Sequence, residues 1–395
     1  MHRFAPLSPS SDDGSSVPPP PPRFVAIGGG TGLPVVLQGL SNRLRAFPAI
    51  AEGAWDLADC VNAIVTVTDD GGSSGWLRRE LGVLPPGDVR NCLSALTSHA
   101  SPLSRLLQYR FTRASHLTGH TVGNLLLAAL TQITGDFALA VEQLGAMLGI
   151  TGRVFPSTRE HVILAAEFDN GVVVRGETAI VKCRRSIRRV WLERPALPLP
   201  EALRALVNAD AIIVGPGSLY TSVLPNLLVG GVAPTIRGAS AVRIYVANLM
   251  TQAGETTGFT LEDHLRVIRE HAGTGLFDYV LVNTTALNPW TLRQQKRRGA
   301  EPVTAPEPPS CADQEFTEDG IRVMRGAFAV ELSGAEVRHS PDLLSQAIFE
   351  IAGQYRTAMD LSRRPESWPR KTKGAQGSTK PPALQAAGDR IAPNL

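Results

Sequence analysis

Residues 63–77 read Ala-Ile-Val-Thr-Val-Thr-Asp-Asp-Gly-Gly-Ser-Ser-Gly-Trp-Leu, and this stretch decides the fold. Its first half predicts a buried strand, because Ile64, Val65 and Val67 are β-branched with Thr66 and Thr68 among them. The strand ends in two adjacent carboxylates, Asp69 and Asp70, followed by Gly71, Gly72, Ser73, Ser74 and Gly75. A strand running into paired acids and a flexible polar loop is how an α/β protein presents chemistry at the carboxyl edge of its sheet. Glycines let backbone N–H groups close on an anion. Carboxylates hold a divalent cation such as Mg²⁺ through hard oxygens, or accept ribose hydroxyls. The same residue types also make an ordinary Asp-Gly turn, so the neighbouring segments must decide.

Upstream, residues 24–27 predict a short buried strand, then Gly28, Gly29, Gly30, Thr31 and Gly32, then a helix over residues 33–40 with Pro34 in its first turn. Strand, glycine loop, helix is a phosphate-binding arrangement, since the helix start offers free N–H groups and a positive dipole. The dinucleotide fingerprint is imperfect: Leu33 stands at the third glycine position, and Asp69 lies far from the first glycine. No Gly-Lys-Ser/Thr follows, so the loop is not a P-loop.

Downstream, Leu84-Pro85-Pro86-Gly87 stops the chain, and Asp88 is expected to cap a helix through Leu96. Arg90 and Asn91 fall in its first turn, where a cation opposes the helix dipole, so Arg90 is a candidate for facing an anionic ligand. His120 and Asn124 are one turn apart at the head of an apolar helix. A further helix is expected over residues 136–148. Strands are expected over residues 161–168, 172–180 and 187–192, with a turn at Asp169-Asn170-Gly171.

Alternation of helix and strand then resumes. The strand at residues 210–214 runs into Gly215, Pro216, Gly217, Ser218, Thr221 and Ser222, a second small-residue loop rich in hydroxyls. A strand over 242–247 leads to Asn248, Thr251 and Gln252, and another over 279–282 leads to Asn283. At least five strands thus end in polar or glycine loops, and in a parallel sheet those ends share one edge. Residues 343–352 predict a terminal helix.

The expected fold is a three-layer, Rossmann-like α/β protein with a parallel sheet and a small antiparallel β insertion at about residues 152–193. Residues 1–22, with five consecutive prolines at 18–22, read as a disordered extension. The folded domain spans residues 23–362, and residues 363–395 read as a disordered basic tail. That tail carries seven of the basic residues against two acids, so of the net charge of +3 it holds +5 and the rest −2. A near-neutral body argues against nucleic-acid binding. Cys60, Cys92, Cys183 and Cys311 are far apart and form no CxxC, which implies a reducing compartment and no zinc site. No apolar run reaches the roughly 18 residues of a membrane span, and no signal core opens the chain, so a cytoplasmic protein without membrane insertion is expected. A homodimer, the commonest closed assembly, is a candidate, though the sequence does not fix the oligomer.

Together, residues 27–33, 65–77, 84–96, 119–136, 215–228 and 248–254 resemble the gluconeogenesis factor family, relatives of the 2-phospho-L-lactate transferases that build deazaflavin coenzymes. The resemblance covers about residues 24–303. It implies a nucleoside-diphosphate ligand, specifically a UDP-sugar such as UDP-N-acetylglucosamine, and a role in cell shape and wall synthesis during growth on gluconeogenic carbon. In the transferase branch the resemblance implies a divalent metal at Asp69 and Asp70 and a nucleotide on residues 215–222. Trp76 stands where relatives commonly carry arginine, and Pro34 where they carry serine. The expected activity is a nucleotide-sugar-binding regulator without turnover. A Mg²⁺-dependent transferase, with Asp69, Asp70 and His120 as catalytic candidates, is the alternative, and a dinucleotide oxidoreductase ranks third.

Overall fold

Strands β1 (Phe24–Gly28) and β2 (Val61–Val65) are buried along their whole length on both faces, which is why they read as apolar runs, broken in β2 only by Asn62. In β1, Phe24 and Ala26 point into one half of the core while Val25 and Ile27 point into the other, the two-residue period of a strand. The computed structural model describes residues 20–47, 50, 57–97, 102–113, 116–305, 317 and 319–358. Most of the N-terminal extension, the basic tail and Cys311 lie outside the described residues.

The remaining strands are β3 (Arg153–Pro156), β4 (Leu164–Phe168), β5 (Val173–Arg175), β6 (Ile187–Leu192), β7 (Ala211–Val214), β8 (Val242–Val246), β9 (Tyr279–Asn283), β10 (Arg322–Gly326), β11 (Ala329–Glu331) and β12 (Val337–His339). Seven form one sheet in the order β10-β9-β8-β7-β1-β2-β3, and every pairing in it is parallel. The helices Gly32–Arg45, Gly87–Leu96, Phe137–Leu148 and Pro341–Ala358 cover one face through Leu37, Leu40, Leu93, Leu144 and Ile348. The helices Pro200–Val207, Val232–Gly238 and Leu261–Ala272, with the antiparallel sheet β5-β4-β6, cover the other. The fold is the expected three-layer parallel α/β architecture. Its strand order reverses at β1, which places a topological switch point between β1 and β7.

Several local expectations need correction. Residues 153–156 belong to the main sheet as its edge strand, so the β insertion begins after them. The strand expected over 172–180 is only Val173–Arg175, because Gly176 turns the chain at φ +88° and the helix Glu177–Cys183 follows. Strand β10 adds a further parallel edge beside β9. Residues 72–75 are not a loop: they form the first turn of the helix Gly72–Leu81. Gly75 is required there because a methyl group would run into the carbonyl of Asp70. Among the described residues no single helix is long and apolar enough to cross a membrane; the apolar pair Leu219–Leu227 and Val232–Gly238, bent by 72°, packs in the core.

Candidate functional site

The loops after β1 and β7 lie back to back at the switch point. A side chain at Gly32 would strike the carbonyl of Pro216, and one at Gly217 would meet Ser222 Cβ at 3.3 Å and the Gly29 oxygen at 3.5 Å. Gly30 and Gly215 adopt φ of +64° and +81°, which glycine takes without strain. Asn226, fully buried, bolts the loops together: its Nδ2 donates to the Gly28 oxygen at 2.9 Å and to the Ser222 oxygen at 2.7 Å. Asn248 Nδ2 donates to the Gly217 oxygen at 2.8 Å, and the Gly217 N–H donates to Asn248 Oδ1 at 3.1 Å. Gln252 Nε2 donates to Ser218 Oγ at 2.7 Å. Residues 28–32, 215–222 and 248–252 therefore converge, as the shared edge of a parallel sheet requires.

They line a cleft of about 430 Å³, whose walls include Gly30, Thr31, Gly32, Pro216, Gly217, Ser218 and Ser222. Asn248, Thr251 and Gln252 complete that side. Gln295, Glu336, Arg338 and His339, which sequence reasoning missed, also line the cleft. These side chains come from the helix Pro289–Arg297, from β12 and from Glu336 just before it, all far along the chain and without a motif of their own. Arg338 Nε donates to Glu336 Oε1 at 2.7 Å. Burial pushes His339 down to about 4, so its imidazole is neutral, with a backbone bond to Ala247 opposing the shift. Thr221 is buried, and the Thr251 hydroxyl accepts from the Glu301 N–H at 2.9 Å.

The margin beside this cleft is acidic. Asp88 does not cap its own helix, which starts at Gly87; its Oδ2 instead accepts the N–H of Gly30, a residue of the cleft wall, at 2.7 Å. Burial, with Asp69 adding repulsion, raises the Asp88 carboxyl to about 6 against the opposing pull of the Gly30 amide and Arg90. Asp69 and Asp70 serve different elements. Asp69 Oδ1 accepts the Gly71 N–H, and Asp70 Oδ1 accepts the Thr178 N–H from the insertion, each at 2.8 Å. Burial comes first, then Asp69, Asp88, Glu255 and Asp70, in pushing the half-buried Glu177 up to about 9. Burial carries Glu255 to about 7 against an opposing backbone hydrogen bond from Tyr220. Neither glutamate was singled out from the sequence, since neither stands in a recognisable motif.

Ser73, in the first turn of its helix, touches both members of the pair expected at the apolar helix. Its Oγ lies 2.9 Å from His120 Nδ1 and accepts from Asn124 Nδ2 at 3.0 Å. His120 itself precedes that helix, whose N-cap is Thr121. Trp76 packs edge-on against His120 with ring centroids 4.8 Å apart. Arg90 has partners within the protein. It is buried, its Nη1 donates to Thr121 Oγ1 at 2.8 Å and its Nη2 to Asn91 Oδ1 at 2.5 Å, so it braces the fold behind the site. Burial first, then Arg110, lower its pKa to about 10, with Asp88 opposing.

A second cleft, of about 560 Å³, opens on the far side of Asp70 and is lined by Thr68, Arg78, Arg79, His161 and Gly176 among others. Arg78 Nη2 donates to the Val162 oxygen at 2.5 Å and ties the Gly72–Leu81 helix to the insertion. Among the described residues no group of three or more His, Cys, Asp or Glu side chains is placed to hold a metal ion. Mg²⁺ commonly uses only one or two protein carboxylates and completes its shell with water and ligand phosphates.

Fold and site together define a doubly wound α/β protein with a polar ligand cleft at its switch point. The chain belongs to the family described as 2-phospho-L-lactate transferase CofD, which it matches over residues 24–329. It is 41% identical over 338 residues to the "Gluconeogenesis factor" of Halalkalibacterium halodurans, covering 85% of this chain and 98% of that one. It is 44% identical over 330 residues to the "Gluconeogenesis factor" of Bacillus subtilis, covering 83% and 98%. A crystal structure of a UPF0052 family member from Bacillus halodurans superposes with a TM-score of 0.74 at 40% identity, over 84% of this chain and 99% of that one.

Proposed function

We propose that this chain is a gluconeogenesis factor acting as a cytoplasmic, nucleotide-sugar-binding regulator, with a UDP-sugar of the UDP-N-acetylglucosamine type as ligand and cell shape and wall synthesis on gluconeogenic carbon as its output. The observation that carries the reading is the 430 Å³ cleft between β1 and β7, lined by neutral amides and hydroxyls together with Arg338, whose guanidinium is paired with Glu336. Ligands of open α/β sheets bind in that crevice, and its size suits a ligand of this class. The diphosphate would lie along residues 215–222, with Arg338 taking the counter-charge role first expected of Arg90. A purely binding role is supported at Ser73, where the third partner beside His120 is the Asn124 amide. Isothermal titration with UDP-N-acetylglucosamine tests the proposal; absence of heat at millimolar ligand rejects it.

The acidic margin and the family match support a second reading, a Mg²⁺-dependent phospholactyl transferase of deazaflavin coenzyme synthesis. Asp69 and Asp70 would hold the cation, which supplies charge neutralisation for the leaving nucleotide. His120, whose Nδ1 is 2.9 Å from Ser73 Oγ, would hold or pass the proton. Product formation from a deazaflavin alcohol, a guanylylated donor and Mg²⁺, lost in Asp69→Asn, is its test.

A further inference from the structure

We infer that Asp88 is a specificity-determining residue, selecting a sugar-esterified diphosphate over the free nucleoside diphosphate; the inference rests on the nucleotide-sugar reading above. The two loops of the switch point are not equivalent. Gly217 presents its N–H to Asn248 Oδ1, a neutral acceptor. Gly30 presents its N–H to Asp88 Oδ2 at 2.7 Å, a carboxylate. That oxygen lies flat on the loop, only 2.7 Å from where a Cβ on Gly29 would stand, so the protein's own anion occupies the first loop's amide. Asp69 adds a second negative charge nearby, while the guanidinium of Arg90 is turned to Thr121 and Asn91.

Gly30 and Gly217 both line the cleft, so an anion at the first loop would face the charge of Asp88 behind Gly30, whereas at the second loop it would face the neutral amide of Asn248. A free nucleoside diphosphate carries an extra ionisation on its terminal phosphate, and that charge meets Asp88 if the terminal group reaches the first loop. Esterification by a sugar removes the extra charge and substitutes hydroxyl groups. A carboxylate accepts hydroxyl protons in strong, charge-assisted hydrogen bonds. The same side chain thus penalises the wrong ligand and rewards the right one, the two arms of specificity.

The test is isothermal titration of the full chain with UDP-N-acetylglucosamine and with UDP, in wild type, Asp88→Asn and Asp88→Ser. Asparagine keeps an acceptor for the Gly30 amide and removes the charge; serine does so with less bulk and stands in if asparagine fails to fold. Wild type is expected to prefer the sugar ester, and loss of the charge is expected to shrink that preference by about tenfold or more, chiefly through tighter UDP binding. An unchanged ratio of the two affinities in the variants, or a wild type that prefers UDP, overturns the role of Asp88 and leaves the nucleotide-sugar reading standing. A wild type that binds neither ligand rejects that reading, and the present inference with it.

Discussion

Asn248 and Gly217 exchange both of their amide groups: the Gly217 N–H donates to Asn248 Oδ1 at 3.1 Å, and Asn248 Nδ2 donates to the Gly217 oxygen at 2.8 Å. The end of β8 thereby fixes the loop after β7, in the way a strand would bond its neighbour. The pairing continues the sheet for one more step beyond its strands, at the point where side chains begin to line the cleft.

Asn248→Ala would leave the Gly217 amide and carbonyl without these partners. A buried polar group left unpaired costs about 1–3 kcal/mol. Urea denaturation is expected to show a loss of that order. Titration with UDP-N-acetylglucosamine is expected to show affinity falling by about tenfold, since about 1.4 kcal/mol corresponds to that factor. A variant as tight-binding as wild type would remove this loop from the ligand site.

Two glycines within helices should respond to alanine with opposite signs. In the helix Pro341–Ala358, a Cβ on Gly353 meets nothing within 4 Å, so Gly353→Ala is expected to stabilise by about 0.5–1 kcal/mol. In the helix Gly72–Leu81, the same change at Gly75 drives a methyl group into the Asp70 carbonyl. Overpacking of this kind costs about 1–3 kcal/mol. Equilibrium unfolding of the two variants compares them directly.

Glu177 supplies a pH dependence. Its carboxyl sits at about 9 in the fold, raised by burial and then by Asp69, Asp88, Glu255 and Asp70. In the unfolded chain it titrates near the ordinary value of about 4.3. The folded state therefore binds the proton more tightly. This contribution to stability is fully present below about pH 4.3, falls as pH rises, and is exhausted above about pH 9. Glu177→Gln keeps the neutral shape without the ionisation. Its unfolding midpoint is expected to fall less than that of wild type between pH 5 and about pH 9, so that it is the more stable protein at the upper end. Parallel urea titrations across that range would show it.

What could be read in advance follows from the range over which each residue's partners act. Strands β1 and β2 are apolar on both faces, so their identity and the glycine loop after β1 were legible locally. Asp88 was misread as a helix cap because its partner, Gly30, stands 58 residues away. Residues 72–75 looked like a loop because glycine and serine favour turns, whereas the helix there is fixed by packing against Asp70. Strand β10 was invisible because it is only partly buried and lacks a sustained apolar face. Arg338 and His339 reach the cleft only because β12 folds back over it, a juxtaposition no local pattern encodes.

The crowding of Asp69, Asp70, Asp88 and Glu177 also makes a prediction about cations. Without one, like charges oppose each other across the margin and add to burial in raising the Glu177 carboxyl. Removing one charge relieves that opposition. Asp69→Asn, whose amide oxygen still accepts the Gly71 N–H, is thus expected to raise the unfolding midpoint at pH 8 in the presence of a chelator. A bound Mg²⁺ would give the same relief in the wild type, because a ligand that binds only the folded state stabilises it by mass action. Millimolar Mg²⁺ is therefore expected to raise the melting temperature of the wild type more than that of Asp69→Asn or Asp70→Asn. Equal responses in all three proteins would show that the cation is not held by this pair.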